Sequence, residues 1–153
     1  MMKKWTKLCA ALLCAAVFLS AAGCSARTPV TSDGFKKQAQ AMGFEIESGA
    51  SSQAADTGAQ ETVQASNAKT STELVFQSFS DGDSAQAEYA SLKKQLAPNG
   101  GGNAVESATY NKYTVTVGEL FYTLTRMDNT VVFGKATLPN EKEVEDFFKA
   151  IKY

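Results

Sequence analysis

Tyr110 to Leu138 reads YNKYTVTVGELFYTLTRMDNTVVFGKATL, and this stretch decides the fold. It consists of three runs in which β-branched and aromatic residues alternate with other types, the signature of β-strands. Gly118-Glu119 and Asp128-Asn129 separate the runs at two-residue hairpin spacing. Two-residue turns set Val117 opposite Leu120 and Met127 opposite Thr130. The register then sorts the side chains. Tyr113, Val115, Val117, Leu120, Tyr122, Leu124, Val131 and Phe133 share one face. Thr114, Thr116, Phe121, Thr123, Thr125, Val132, Gly134 and Ala136 share the other. The first face reads as the core side of an antiparallel sheet and the threonine-rich one as its open side.

Elements on either side of this meander can be read outward from it. Upstream, Glu73–Phe79 is a strand by its composition, and Asp83 with Gln86 three residues later reads as a capping box opening a helix. Ala85, Tyr89, Leu92 and Leu96 line that helix's apolar side, and Pro98-Asn99-Gly100-Gly101-Gly102 stops it. Further upstream, Thr31-Ser32-Asp33 starts a helix with Phe35, Ala39 and Met42 at helical spacing. Gly43 fits the C′ position, with Phe44 folding back on Ala39. Glu45-Ile46-Glu47 begins a short strand. Residues 48–72 are rich in Ser, Ala, Gln and Thr and bury little, so they read either as one long loop or as a segment in which Glu61–Ser66 makes a weak edge strand, the second favoured because so long a structureless loop is uncommon inside a compact domain. Downstream, Pro139-Asn140 opens a last helix. Asn140 and Glu143 form its cap pair, and Val144, Phe147, Phe148 and Ile151 its apolar stripe.

The expected fold is therefore α+β: an antiparallel sheet with a C-terminal three-stranded meander, covered on one face by about three helices in two layers. Residues 31–153 form one such domain, behind a tether over residues 24–30.

The start of the chain reads as an address. Lys3, Lys4 and Lys7 precede an apolar run from Leu8 to Leu19, too short to span a bilayer comfortably. Leu19-Ser20-Ala21-Ala22-Gly23-Cys24 follows and resembles the lipobox of bacterial lipoproteins. The resemblance implies cleavage between Gly23 and Cys24 and a diacylglyceryl group on the Cys24 thiol. Residues 1–23 are then a lipoprotein signal peptide, and the mature protein is anchored to the extracytoplasmic face of the cell membrane without spanning it.

Composition narrows the chemistry. Of 15 Lys and Arg three lie in the leader, while all 16 Asp and Glu lie beyond it, so the mature chain is acidic. That argues against nucleic acid and against a polybasic grip on anionic lipid. There is no histidine, and Cys24 is the one cysteine outside the leader. Ser–His and Cys–His nucleophiles and the usual zinc sites are thereby excluded. No cofactor or metal is expected.

Several short motifs carry a further likeness. Gly43-Phe44, the Phe76–Phe79 strand running into an Asp-capped helix, Tyr110-Asn111-Lys112-Tyr113, Arg126-Met127-Asp128-Asn129-Thr130 and Phe148-Lys149-Ala150-Ile151-Lys152-Tyr153 are the residues concerned. In these the chain resembles a group of small lipoproteins of Gram-positive Firmicutes that have no assigned function. The likeness implies the anchor and an α+β fold; it brings no catalytic residue. The Ala- and Gln-rich segment over residues 48–70 departs from it.

Four groups are candidates for chemistry. Asp81-Gly82-Asp83 has the carboxylate spacing of a cation loop but lacks the rest of an EF-hand, so a turn and helix cap explain it better. Glu141, Glu143, Glu145 and Asp146 suit a helix N-terminus and its solvated face. Arg126 falls on the core-side register near a hairpin end, where it either meets an anionic ligand or pairs with a local carboxylate such as Asp128. Thr114, Thr116, Phe121, Thr123, Thr125 and Val132 form a candidate interaction surface on the open face, although threonine also simply suits strands. The function this reading supports is a non-catalytic binding module meeting an envelope protein or glycan. The alternatives are a carboxylate-based envelope hydrolase and a carrier of small apolar ligands.

Overall fold

The structure, a computed structural model, describes residues 27–47, 58–98 and 101–153. The expected cleavage and lipidation residues, Gly23 and Cys24, lie outside the described residues.

Helix α1 (Ser32–Ala41) begins at Thr31, whose hydroxyl accepts from the Gly34 amide. It ends as its sequence predicts. Gly43 takes φ 85°, Gly43 N donates to the Gln40 carbonyl, and Phe44 N to the Ala39 carbonyl, each at 3.0 Å. This is the Schellman pattern, and it buries Phe44 beside the helix it closes.

Strands β1 (Glu45–Ile46), β2 (Glu61–Asn67) and β3 (Thr72–Ser78) follow; β2 is not the weak edge strand expected over Glu61–Ser66, since it pairs with β1 on one side and β3 on the other and buries Val63 and Ala65. Helix α2 (Gly82–Leu96) precedes β4 (Asn103–Glu106), β5 (Tyr110–Val117), β6 (Leu120–Met127) and β7 (Thr130–Thr137). A 3-10 turn (Leu138–Asn140) leads into α3 (Glu141–Ala150). The described strands form one open antiparallel sheet in the order β1-β2-β3-β7-β6-β5-β4. The meander register is the one its turns dictate: Val117 faces Leu120 and Met127 faces Thr130. The fold is α+β, with three helices packed on the sheet.

The helices divide between the faces, and this corrects the expectation of a single covered side. Helix α2 sets Ala85 and Tyr89 against Tyr113, Val115, Leu124 and Val131. Helices α1 and α3 cover the opposite, threonine-rich face. There Phe35, Val144, Phe147 and Phe148 pack with Leu74, Phe76, Phe121, Met127, Val132 and Ala136. The cause lies in two small residues of β7. Gly134 and Ala136 leave a trough for α3. A Cβ on Gly134 would lie 2.6 Å from Val144 Cγ1 and 2.8 Å from Phe148 Cε2, closer than side chains approach. Glycine weakens a strand, but here it lets the helix seat.

Two expected caps sit elsewhere. Asp81, not Asp83, caps α2, its carboxylate accepting from the Ser84 amide at 2.8 Å. That bond, with help from Ser80 and the Ser84 hydroxyl, holds the Asp81 carboxyl below its ordinary value. At α3, Asn140 occupies the cap position without a capping bond; its amide donates to the Thr70 carbonyl and the Thr137 hydroxyl. Glu143 instead accepts from Asn67 Nδ2 at 2.7 Å, Thr70 Oγ1 at 2.6 Å and Thr72 Oγ1 at 2.5 Å. It pins the β2–β3 turn to the start of α3.

The segment leading into α1 meets the C-terminal residue at one end of the sheet. The buried Tyr153 shares a hydrogen bond with Thr130 Oγ1 and accepts from the Val30 amide at 3.1 Å. Arg27 lies 4.3 Å over the Tyr110 ring.

Candidate functional site

Helix α2 rests lightly on the sheet. Ala85 and Tyr89 are its buried residues, and Leu92 and Leu96 are only partly covered. Contrast α3, where Val144, Phe147 and Phe148 are all buried. The light seat leaves two clefts along the side of α2 that faces β4 and β5.

The first cleft, of about 300 Å³, is lined by Gly82, Asp83 and Gln86 from α2, by Ala108 and Thr109 before β5, and by Arg126, Asp128 and Asn129. Arg126 forms its inner wall. Although only 3 % exposed, its guanidinium has no carboxylate partner among the described residues. Nε donates to Asn111 Oδ1 at 2.6 Å. Nη1 donates to the Asp128 carbonyl at 3.1 Å. Nη2 donates to the Ala108 carbonyl at 2.8 Å and, more weakly, to that of Ser107 at 3.5 Å. All four acceptors are neutral. Guanidinium has five N–H donors, so these bonds leave one on Nη1. The backbone is organised around this side chain: Asp128 N donates to the Thr109 carbonyl and Ser107 N to the Tyr110 carbonyl. Asn129 Nδ2 and Phe79 N close the same corner through the Phe79 and Asn129 carbonyls, each at 2.9 Å. Asp128 adopts φ 48° at the turn, a conformation Asp tolerates better than most residues.

A buried charge held only by neutral dipoles is under-compensated, because carbonyls return part of its lost hydration but not a counter-charge. An anion reaching Nη1 would form a charge-assisted bond, of about 1.5–3 kcal/mol in such settings. Asp83 and Asp128 line the same cleft as Arg126.

The second cleft, of about 370 Å³, continues along α2 past Gln86. Tyr89, Lys93 and Lys94 line it from the helix, and Gly101, Glu106 and Tyr113 from the sheet side. Lys93 Nζ pairs with Glu106 at 2.5 Å and lies 5.4 Å from the Tyr113 ring centre. Tyr113 donates its hydroxyl to the Gly101 carbonyl at 2.7 Å. The Tyr89 hydroxyl is buried and has no hydrogen-bond partner among the described residues. Burial, reinforced by the Glu106 carboxylate and Tyr113, pushes its pKa up to about 12. It is a protonated donor with nothing to donate to, an arrangement that costs about 1–3 kcal/mol.

The residues singled out in the sequence divide as follows. Thr123, Thr125 and Val132 are buried at 2 %, 0 % and 0 %, and Phe121 at 8 %, beneath α1 and α3. Thr114 is half-buried and Thr116 exposed near the β5–β6 turn. The six therefore do not form an open interaction surface. The signal for the helices above them was Phe121, Met127, Val132, Gly134 and Ala136 on one face, apolar or small where a solvated face would be polar. Arg126 lies on the α2 side, as its register requires. Asp81 is a cap. Asp146 pairs with Lys142 at 2.7 Å, Glu143 is spent on the β2–β3 turn, and Glu141 and Glu145 are exposed. Among the described residues, no group of three or more Asp, Glu, Cys or His is placed to hold a metal ion. None of their helices is long and apolar enough to cross a membrane. Sequence reasoning missed β4, which carries no alternation and is exposed throughout, and with it the second cleft.

No protein-family model matches the chain, and no curated protein matches it significantly. Among solved structures it is similar to one described as a GTP binding regulator from Thermotoga maritima. The two are 9 % identical with a TM-score of 0.48, over 78 % of this chain and 82 % of that one. Likeness at that level carries nothing about function.

Proposed function

We propose that this protein is an extracytoplasmic lipoprotein, held on the cell membrane through acylated Cys24, and a non-catalytic binding module that takes an anionic group at Arg126. The lipobox and leader support the placement. The observation that supports the activity is the buried Arg126 guanidinium, bonded to neutral acceptors and walling an open cleft. A structural arginine at that depth would ordinarily carry a carboxylate.

Two measurements test this on protein purified in detergent from its own membranes. Intact mass should correspond to a chain beginning at Cys24 with a diacylglyceryl group; a bare sulfur, or residues 1–23 still attached, would refute the placement. Inorganic phosphate should bind by calorimetry, with binding lost in Arg126→Gln and retained in part in Arg126→Lys. Absence of binding to the parent protein would refute the activity.

A second reading has one observation in its favour. Asp83 and Asp128 share the cleft, so a carboxylate-based hydrolase acting on envelope glycans remains its rival. Release of reducing ends from a glycan, abolished by Asp128→Asn, would decide for the hydrolase.

A further inference from the structure

The two clefts share Gln86. On α2 their lining residues are Gly82 and Asp83, Gln86, Tyr89 and Ala90, Lys93 and Lys94, and Ala97. These recur every three or four positions, so they form one stripe along the helix. From Gln86 to Lys93 the helix rises about 10 Å. A ligand whose acid group sits on Arg126 therefore has a path along α2 towards Tyr89 and the two lysines.

We propose that the clefts act as one groove for an acidic saccharide, its acid group at Arg126 and its sugar hydroxyls against Tyr89, Gln86 and Lys94. The inference rests on the anion-binding reading of Arg126 and extends it to a ligand class. Three observations carry it. The Tyr89 hydroxyl is an orphaned donor in a buried residue that lines the groove. Around it stand donors and acceptors of both kinds: the Gln86 amide, the Lys94 ammonium and the Lys93–Glu106 pair. Sugar hydroxyls both donate and accept, so they suit a mixed lining that an apolar ligand would leave desolvated and unpaired. Cleft volumes of about 300 and 370 Å³ lie in the range of small-ligand sites, not of flat protein interfaces.

The test uses the acylated full-length mature protein in detergent with four probes: inorganic phosphate, a glucuronate–N-acetylglucosamine disaccharide, neutral N,N′-diacetylchitobiose, and the peptide Glu-Ala-Glu. The acidic disaccharide should bind at least about tenfold more tightly than the other three, with the sugar contacts supplying about 1.4 kcal/mol or more by the tenfold conversion. Tyr89→Phe should weaken the disaccharide about fivefold, the loss of one hydrogen bond, while leaving phosphate binding unchanged. Because the hydroxyl has no partner in the protein, the same substitution should leave the melting temperature unchanged or raise it. Lys94→Ala, at an exposed position, should also weaken the disaccharide and spare phosphate. If the disaccharide binds no better than phosphate, the groove is refuted and the Arg126 site survives. If phosphate itself does not bind, the underlying reading falls. Tighter binding of the peptide or of chitobiose refutes the acidic-saccharide class. A lower melting temperature in Tyr89→Phe, with binding intact, makes that hydroxyl structural and refutes its role.

Discussion

Replacing Gly134 with alanine tests the arrangement on which the site depends. The added Cβ would lie 2.6 Å from Val144 Cγ1 and 2.8 Å from Phe148 Cε2, with Leu74 Cδ2 at 3.4 Å. Val144 and Phe148 are at most 1 % exposed, so neither can swing into solvent. Extra carbon forced into a packed core costs about 1–3 kcal/mol. Alanine recovers about 0.5–1 kcal/mol of glycine's conformational entropy loss. The net expectation is destabilisation by about 1–2 kcal/mol, a drop of about 5 °C in melting temperature for a domain of this size. Urea unfolding followed by circular dichroism measures it: the midpoint should fall with the slope unchanged. Val144→Ala should relieve part of the clash, so the double variant should be less destabilised than the sum of the singles by about 1 kcal/mol. A neutral or stabilising Gly134→Ala, with no coupling to Val144, would refute the seating of α3 here. The threonine face would then be open, and the case for the α2 side as the binding side would lose its basis.

Two further substitutions probe how the ends of the fold are held. Glu143→Ala removes the shared acceptor of Asn67, Thr70 and Thr72, one of them the fully buried Thr72; stability should fall by about 1.5–3 kcal/mol, with hydrogen exchange rising first in the β2–β3 turn. Lys152 holds φ 65° at the end of α3, with Tyr153 N bonded to the Phe148 carbonyl at 2.8 Å. Lys152→Gly should therefore stabilise by about 0.5–1 kcal/mol by chemical denaturation, because glycine adopts that conformation without the Cβ penalty.

The meander was legible because its turns fix its register: Gly118-Glu119 and Asp128-Asn129 permit one pairing, and alternation then assigns every side chain to a face. Strand partnering beyond it was not legible. β3 lies against β7 through a pairing of Glu73 with Lys135, separated by 62 residues, and no local signal encodes it. Helix α1 could be read to its last residue, since Gly43 and Phe44 write the closing motif into the sequence. The α2 cap was misplaced by two residues because Asp81 and Asp83 have the same local chemistry. Asp81 takes the extended backbone of a cap residue and accepts from the Ser84 amide, while Asp83, inside the first turn, lines the cleft.

The larger error concerned the faces, and its physical origin bears on function. Threonine is at home in strands whether or not it is covered, so Thr123 and Thr125 carried no information about solvent. Two-sided cover was written in β7, where Val131, Val132 and Phe133 are apolar without interruption, as strands buried on both faces are. Once α1 and α3 take the threonine face, with its aromatic core of Phe35, Phe76, Phe147 and Phe148, the opposite face is left to a single helix. α2 buries one alanine and one tyrosine and cannot cover the ends of β4–β6. The Arg126 charge and the Tyr89 hydroxyl lie on this side beside the open clefts, whereas the unpartnered Thr125 hydroxyl on the other face is sealed beneath α1 and α3. The larger aromatic core lies on one side of the sheet, and on the other the Arg126 guanidinium has neutral acceptors alone and the Tyr89 hydroxyl has no partner among the described residues.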